Sequence, residues 1–165
     1  MKRLLISILM LVSTIGFSQT GKTITKFEQT KLQFSIELKK GFVASYVDKK
    51  AYAEVIFTNP KSYANGALWS YNKKFHNLQE LIVIQEKDTA FVKLSKMKII
   101  NINGMTAYFF EGTEKDEKKQ IVISNRLIID RDGFDEFYLI YLNAKSKKEM
   151  KPLIQIIKSI KKLKT

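Results

Sequence analysis

Short stretches of the chain alternate apolar and polar residues, which is the pattern of half-buried β-strands. In the first of them Leu32, Phe34, Ile36 and Leu38 share one face, and polar residues lie between them. Further strands are predicted at 42–46, 52–57, 67–71, 97–102, 105–111 and 120–130. Residues 137–142 are apolar on both faces, so we expect this strand in the middle of a sheet that is covered on both sides.

Turn-forming pairs and one charged stretch predict the connections between these strands. Asn59-Pro60 ends one strand, and Asn65-Gly66, Asn103-Gly104 and Asp132-Gly133 are typical of tight turns. Residues 113–119 mix both signs of charge, which favours a solvated mobile loop and leaves a partner-binding loop as the alternative.

A first helix is predicted from residue 78. Asn77 can cap its free amides, and Glu80 stands in the capping-box position three residues later. Leu81 and Ile82 would then share a face with Leu78. The alternative is a strand over 81–84.

A second helix is predicted to begin near Ser146 and to close the chain. Its apolar face follows the helical repeat at Met150, Leu153, Ile154, Ile157 and Ile160. Its other face carries the candidate partner-binding lysines Lys147, Lys148, Lys151, Lys158, Lys161 and Lys162. The apolar face is what a helix docked on a sheet requires, and the lysines can attract an acidic protein or an anionic membrane surface.

These elements predict an α+β fold, in which an antiparallel sheet of hairpins packs against a central helix and a C-terminal helix. We expect one domain over 32–165, preceded by an N-terminal extension or edge strand at 19–31. A chain of 165 residues is long enough to bury a substantial core without covalent cross-links.

The first 18 residues have the features of a secretory signal peptide. Lys2 and Arg3 precede an apolar stretch over 4–17, and Ser18 offers a small residue for cleavage before Gln19. This ending resembles signal peptides of Bacteroidota. The apolar stretch is shorter than the ~20 residues that span a bilayer, so we expect cleavage after Ser18 and a periplasmic or secreted protein. The alternative is an uncleaved membrane anchor.

Composition excludes several classes of chemistry. The chain has no Cys and one His, which excludes disulfides, a thiol nucleophile, Cys-based zinc sites and His-pair metal sites. Its 29 Lys+Arg against 16 Asp+Glu give a net charge of +13. Export argues against nucleic acid as the partner, so the excess charge points to an acidic protein or a membrane surface.

One acidic cluster is a candidate for metal binding, and the single His is a candidate for acid–base chemistry. Asp130, Asp132 and Asp135 could supply oxygen ligands to calcium, but their spacing departs from the EF-hand loop and favours a plain hairpin turn. His76 has no nucleophile or orienting carboxylate near it in sequence, which favours a position beside the helix cap. We therefore expect no cofactor and no catalytic site.

The order of these elements resembles the PsbP-like domain family. The strand 34–38 followed by Lys39-Lys40-Gly41-Phe42 is similar to the opening of that family, although Lys40 stands where a proline is usual. The capped helix at 78–81, the hairpin at 102–107 and the tail at 152–160 resemble the family's middle helix, hairpin and closing helix.

The resemblance implies a fold and a general role. Relatives in the family include an extrinsic photosystem II protein, a partner of a nuclear-transport GTPase, envelope proteins and chaperone-like domains, which share binding to another protein. The expectation is an exported, non-enzymatic protein-binding or envelope-assembly module. The alternatives are an immunity or chaperone protein that masks a secreted toxin, and a carrier of a small ligand or lipid.

Overall fold

The computed structural model describes residues 25–29, 33–48, 53–131, 133 and 135–163. The predicted signal peptide, its cleavage site and Asp132 lie outside this part of the chain. The strands are β1 (Thr25–Gln29), β2 (Phe34–Leu38), β3 (Val43–Asp48), β4 (Ala53–Thr58), β5 (Asn65–Asn72), β6 (Phe91–Leu94), β7 (Lys98–Ile102), β8 (Met105–Lys115), β9 (Ile121–Asp130), β10 (Glu136–Ala144) and β11 (Lys161–Lys162). The helices are α1 (Leu78–Glu86) and α2 (Lys147–Lys158).

Two antiparallel sheets form the fold, which confirms the predicted α+β class. The larger sheet has the order β3-β4-β5-β10-β9-β8-β6, and β7 also pairs with β8. The smaller sheet has the order β1-β2-β11, with β1 at one edge. All described strand pairs are antiparallel.

The larger sheet is covered on both faces, as the two-sided pattern of 137–142 predicted. Successive side chains of a strand point to opposite faces. Tyr138, Ile140 and Leu142 accordingly join the core beneath α2 and β2, whereas Phe137 and Leu139 join a second core beneath α1. Strand β10 lies between β5 and β9, so it has no open edge.

Both predicted helix starts are confirmed. The Asn77 side chain accepts a hydrogen bond from the Glu80 N–H at 2.8 Å, and the Glu80 side chain accepts from the Asn77 N–H. The Ser146 side chain caps α2 by accepting from the Glu149 N–H at 3.3 Å. Helix α2 ends at Lys158, so Ile160 follows the helix and is buried there. No helix within the described ranges is long and apolar enough to cross a bilayer.

The predicted turn at Asn65-Gly66 is wrong. Both residues belong to β5, where they pair with Thr58 and Phe57 of β4, and the connection lies at 59–64 instead. The strand leaves no room for a side chain at residue 66, because a Cβ there would lie 2.2 Å from Cε2 of the Phe57 ring. An Asn-Gly pair therefore marks a close approach of a ring to the backbone here, not a reversal of the chain.

Two further expectations about exposed segments need correction. The charged loop predicted at 113–119 begins later, because β8 continues through Lys115 and pairs with β9 up to Ile121. Lys161 and Lys162 do not lie on the terminal helix. They form β11, which pairs with Ser35 and Phe34 of β2.

Candidate binding groove

A groove runs between α2 and the face of the sheet formed by β7, β8 and β9. Its first part has a volume of about 610 Å³ and opens where β8 changes partner from β7 to β6. Its second part, of about 440 Å³, lies farther along β7 and β8. The two parts share the lining residues Glu111, Asn125, Ile154 and Lys158, so they adjoin along α2, and we refer to them together as the trough.

Lysines surround this groove. Lys147, Lys151 and Lys158 line it from α2, and Lys93 and Lys98 line it from β6 and β7. Glu111 is the carboxylate that lines both parts, and its Oε2 lies 3.8 Å from Nζ of Lys98. Among the described residues, no carboxylate lies within salt-bridge distance of the α2 lysines, so the mouth of the groove is strongly positive.

The floor of the groove is apolar apart from one amide. Ile123, Asn125 and Leu127 point to the same face of β9, and Ile154 approaches from α2. The Asn125 side chain is 1% exposed, and its Oδ1 has no hydrogen-bond partner in the described part of the chain. A buried polar atom without a partner is unusual in a folded protein and marks the groove as a candidate binding site.

The structure separates the six lysines predicted to bind a partner. Lys147, Lys151 and Lys158 line the groove, and Lys148 is exposed on α2 outside its lining. Lys161 and Lys162 lie on the short strand of the smaller sheet. Lys93, Lys98 and Asn125 were missed from sequence, because only the pairing of β6, β7 and β9 with β8 brings them beside α2.

The acidic residues proposed as metal ligands do not form a cluster within the described residues. Asp130 instead forms an ion pair with Lys73, and the distance from Lys73 Nζ to Asp130 Oδ1 is 2.6 Å. Asp135 is exposed. Nowhere in the described ranges do three or more His, Cys, Asp or Glu side chains come together as a metal site. His76 packs edge-on against the Tyr71 ring, with 5.1 Å between the ring centroids.

On the opposite face of the sheet, the buried side chain of Arg126 forms an ionic cluster. It donates to Glu114 Oε2 at 3.0 Å, to Gln85 Oε1 at 3.2 Å and to Asp88. Its guanidinium also stacks between the rings of Phe91 and Tyr141, 4.3 and 4.4 Å from their centroids. Because Gln85 lies in α1 and Asp88 just after it, this cluster anchors the helix to the sheet.

The ionic cluster favours the charged forms of Asp88 and Arg126. Desolvation acts to raise the pKa of Asp88, but the Arg126 hydrogen bond, the Ala90 N–H and the Arg126 charge outweigh it, so that pKa lies below its usual value. Burial acts to lower the pKa of Arg126. The pKa is nevertheless raised, chiefly because of the hydrogen bond to Asp88. We assign the cluster a structural role, since every charged group in it has a partner.

The fold is similar to that of known proteins. The solution structure of cyanobacterial PsbP (CyanoP) from Synechocystis superposes with a TM-score of 0.60 and 11% identity, over 92% of this chain and 98% of that one. This chain has a PsbP-like fold. The crystal structure of the Saccharomyces cerevisiae Ran-binding protein Mog1p also superposes, with a TM-score of 0.55 and 11% identity over 87% of this chain and 97% of that one.

A longer protein contains a region of similar fold. A crystal structure from Bacteroides thetaiotaomicron superposes with a TM-score of 0.60 and 15% identity over 84% of this chain but 48% of that chain, so this chain spans about half its length. No family model and no curated protein matches the sequence. At these identities the likeness establishes the PsbP-like fold, and the resemblance inferred from the sequence is confirmed at that level.

Proposed function

We propose that this PsbP-like chain is an exported, non-enzymatic module that binds an acidic protein partner through the basic face of α2. The observation that carries the proposal is the unbalanced charge at the groove. Lys147, Lys151 and Lys158 project along one helix, and no described carboxylate pairs with them. Unpaired lysines in a row attract an acidic surface over several ångströms and accelerate its association.

The similar structures support a binding role. Mog1p is a Ran-binding protein, so a protein of this fold binds another protein. We place no catalytic group among the described residues, because His76 packs against Tyr71 and each carboxylate around Arg126 is held in an ion pair. Export rests on the signal-like residues 1–18, and mass spectrometry of the protein purified from its own cells should find an N-terminus at Gln19.

The binding role is tested by charge reversal in the full chain, expressed with a C-terminal tag in its own cells and cross-linked there. We expect Lys147→Glu/Lys151→Glu/Lys158→Glu to lose the acidic proteins that the unchanged chain captures. The matched control Lys40→Glu/Lys61→Glu/Lys118→Glu makes the same change of charge at exposed lysines away from the groove and should retain them. Equal capture by both variants, or no specific capture by the unchanged chain, would refute the proposal.

A further inference from the structure

We propose that the groove beside α2 binds a single fatty-acid chain, with its carboxylate among the lysines of the first part and its hydrocarbon in the second part. This inference goes beyond the protein-binding role and shares Lys147 and Lys151 with it. It rests on three independent features of the trough: its shape, the uneven distribution of charge along it, and the unpartnered amide at its centre.

The size and lining of the trough fit an apolar ligand. Its volumes of about 610 and 440 Å³ lie in the range of small-molecule sites, which are mostly apolar and carry a few placed polar groups. The second part is lined by the apolar side chains Ile100, Ile102, Phe109, Leu127, Leu142 and Ile157. A hydrocarbon chain lying there would remove its own surface and that of the floor from water.

The distribution of lysines along the trough predicts the orientation of the ligand. Lys93, Lys147 and Lys151 line the first part and not the second. The second part has Lys98 and Lys158, and Lys98 already lies near Glu111. An anionic head group is therefore favoured in the first part, and the chain attached to it extends into the second.

Asn125 lies where the two parts meet and supplies the polar contact. Its side chain is buried, lines both parts, and leaves Oδ1 without a partner among the described residues. An amide can present either its oxygen or its two N–H donors at the same position, so it can hydrogen-bond a carboxyl group in either protonation state. A bound carboxylate only accepts hydrogen bonds, so it would be held by the Asn125 Nδ2 once the amide has turned, and not by Oδ1.

Other occupants match the trough less well. An extended peptide brings an N–H and a C=O group at every residue, and each of these needs a partner when it is buried. Beside the amides of Asn101 and Asn125 and the charged side chains of Lys98, Glu111 and Lys158, the second part offers such a peptide only apolar side chains. A two-chain phospholipid would need room for a second chain, whereas the trough follows a single helix.

The test is isothermal titration calorimetry of the full chain with myristate, below the concentration at which myristate aggregates. We expect saturable binding of one myristate per chain. Methyl myristate, which lacks the charge, and tetradecyltrimethylammonium, which reverses it on a chain of similar length, should each bind at least tenfold more weakly. Failure of myristate to bind, or equal affinity for all three amphiphiles, would overturn the proposal.

Variants locate the site. Ile154→Glu places a carboxylate in the trough and should weaken myristate binding at least tenfold. Ile84→Glu is its matched control, because Ile84 is an exposed isoleucine on α1, and α1 packs on the other face of the sheet through Leu81 and Ile82. Lys147→Gln/Lys151→Gln changes only exposed side chains, so this variant should fold normally. It should bind myristate several-fold more weakly and bind methyl myristate with unchanged affinity. Myristate binding that is unaffected by both groove variants would overturn the proposed site.

Two further probes distinguish a fatty acid from a membrane surface and from an acidic peptide as the occupant. Dimyristoylphosphatidylglycerol vesicles present the same chains in a bilayer, and a polyglutamate peptide presents carboxylates without chains. Each probe is measured against the myristate-free chain, the peptide by calorimetry and the vesicles by co-sedimentation, and we expect both to bind more weakly than myristate. Tighter binding of either probe than of myristate would overturn the fatty-acid assignment in favour of a membrane or an acidic peptide. The protein-binding proposal is tested separately by capture, so the two can fail independently.

Discussion

The ring of Phe57 lies against the backbone of Gly66, in the space that a side chain at residue 66 would occupy. The two residues are directly paired across β4 and β5, and Phe57 is fully buried. A Cβ at residue 66 would lie 2.2 Å from one ring carbon, 2.4 Å from another and 3.0 Å from Leu142 Cδ2. The ring is held by the core beneath α2, so it has little freedom to move away.

Gly66→Ala should therefore destabilise the protein by about 1–3 kcal/mol, the usual effect of overpacking a core. Urea denaturation followed by circular dichroism measures the change. Phe57→Leu makes room at the same place, so Gly66→Ala should be less harmful in that background than in the unchanged chain. Strictly additive effects of the two substitutions would contradict the steric explanation.

Arg126→Met should be much more damaging than the loss of a surface ion pair. The substitution leaves the carboxylates of Asp88 and Glu114 without their cation, and breaking a buried pair in this way costs about 3–5 kcal/mol. The matched control is Lys98→Met, because Lys98 pairs with Glu111 on the surface at 3.8 Å and such pairs contribute less than about 1 kcal/mol. Equal loss of stability in the two variants, measured by urea denaturation, would show that the Arg126 cluster does not anchor α1.

The pH dependence of stability should report on Asp88. Its pKa lies below the usual value of 3.8 in the folded protein, so the unfolded chain binds the proton more readily. The stabilisation from Asp88 is then complete above the unfolded pKa and is lost as the pH falls through the folded one. We expect the difference in unfolding free energy between the unchanged chain and Asp88→Asn to be constant from about pH 6 to 5 and to shrink below about pH 4. A difference in unfolding free energy that does not change across this pH range would contradict the lowered pKa of Asp88.

The hairpin at Asn103 should support the end of α2. The Asn103 Nδ2 donates to the carbonyl oxygens of Lys158 and Ile160 at 2.9 and 2.8 Å, and its backbone has φ +51°. Asn103→Gly keeps the turn and removes both hydrogen bonds, each of which contributes about 0.5–1.5 kcal/mol. Asn103→Asp places a carboxylate against the two carbonyl oxygens and should be the more destabilising variant. Thermal unfolding measures both variants, and a more stable Asp variant would exclude this role.

Local patterns along the chain were sufficient for much of this fold. Both helix starts, the two-sided strand β10 and the Asn103-Gly104 turn depend on neighbours within a few residues, and each was predicted correctly. Where a distant contact decides the structure, the local pattern misled. The Asn65-Gly66 pair resembles a turn, and only the Phe57 ring across the sheet explains why glycine is needed within a strand.

The sequence by itself determined the α+β class, the PsbP-like order of elements and the excess of lysine near the end of the chain. Only the tertiary structure decided where those lysines act, because strand pairing places Lys93, Lys98 and Asn125 beside α2. Arg126 likewise differs from other arginines only through the partners that distant segments bring to it. Capping and periodicity are local properties of a chain, whereas a groove exists only after separate elements have packed together.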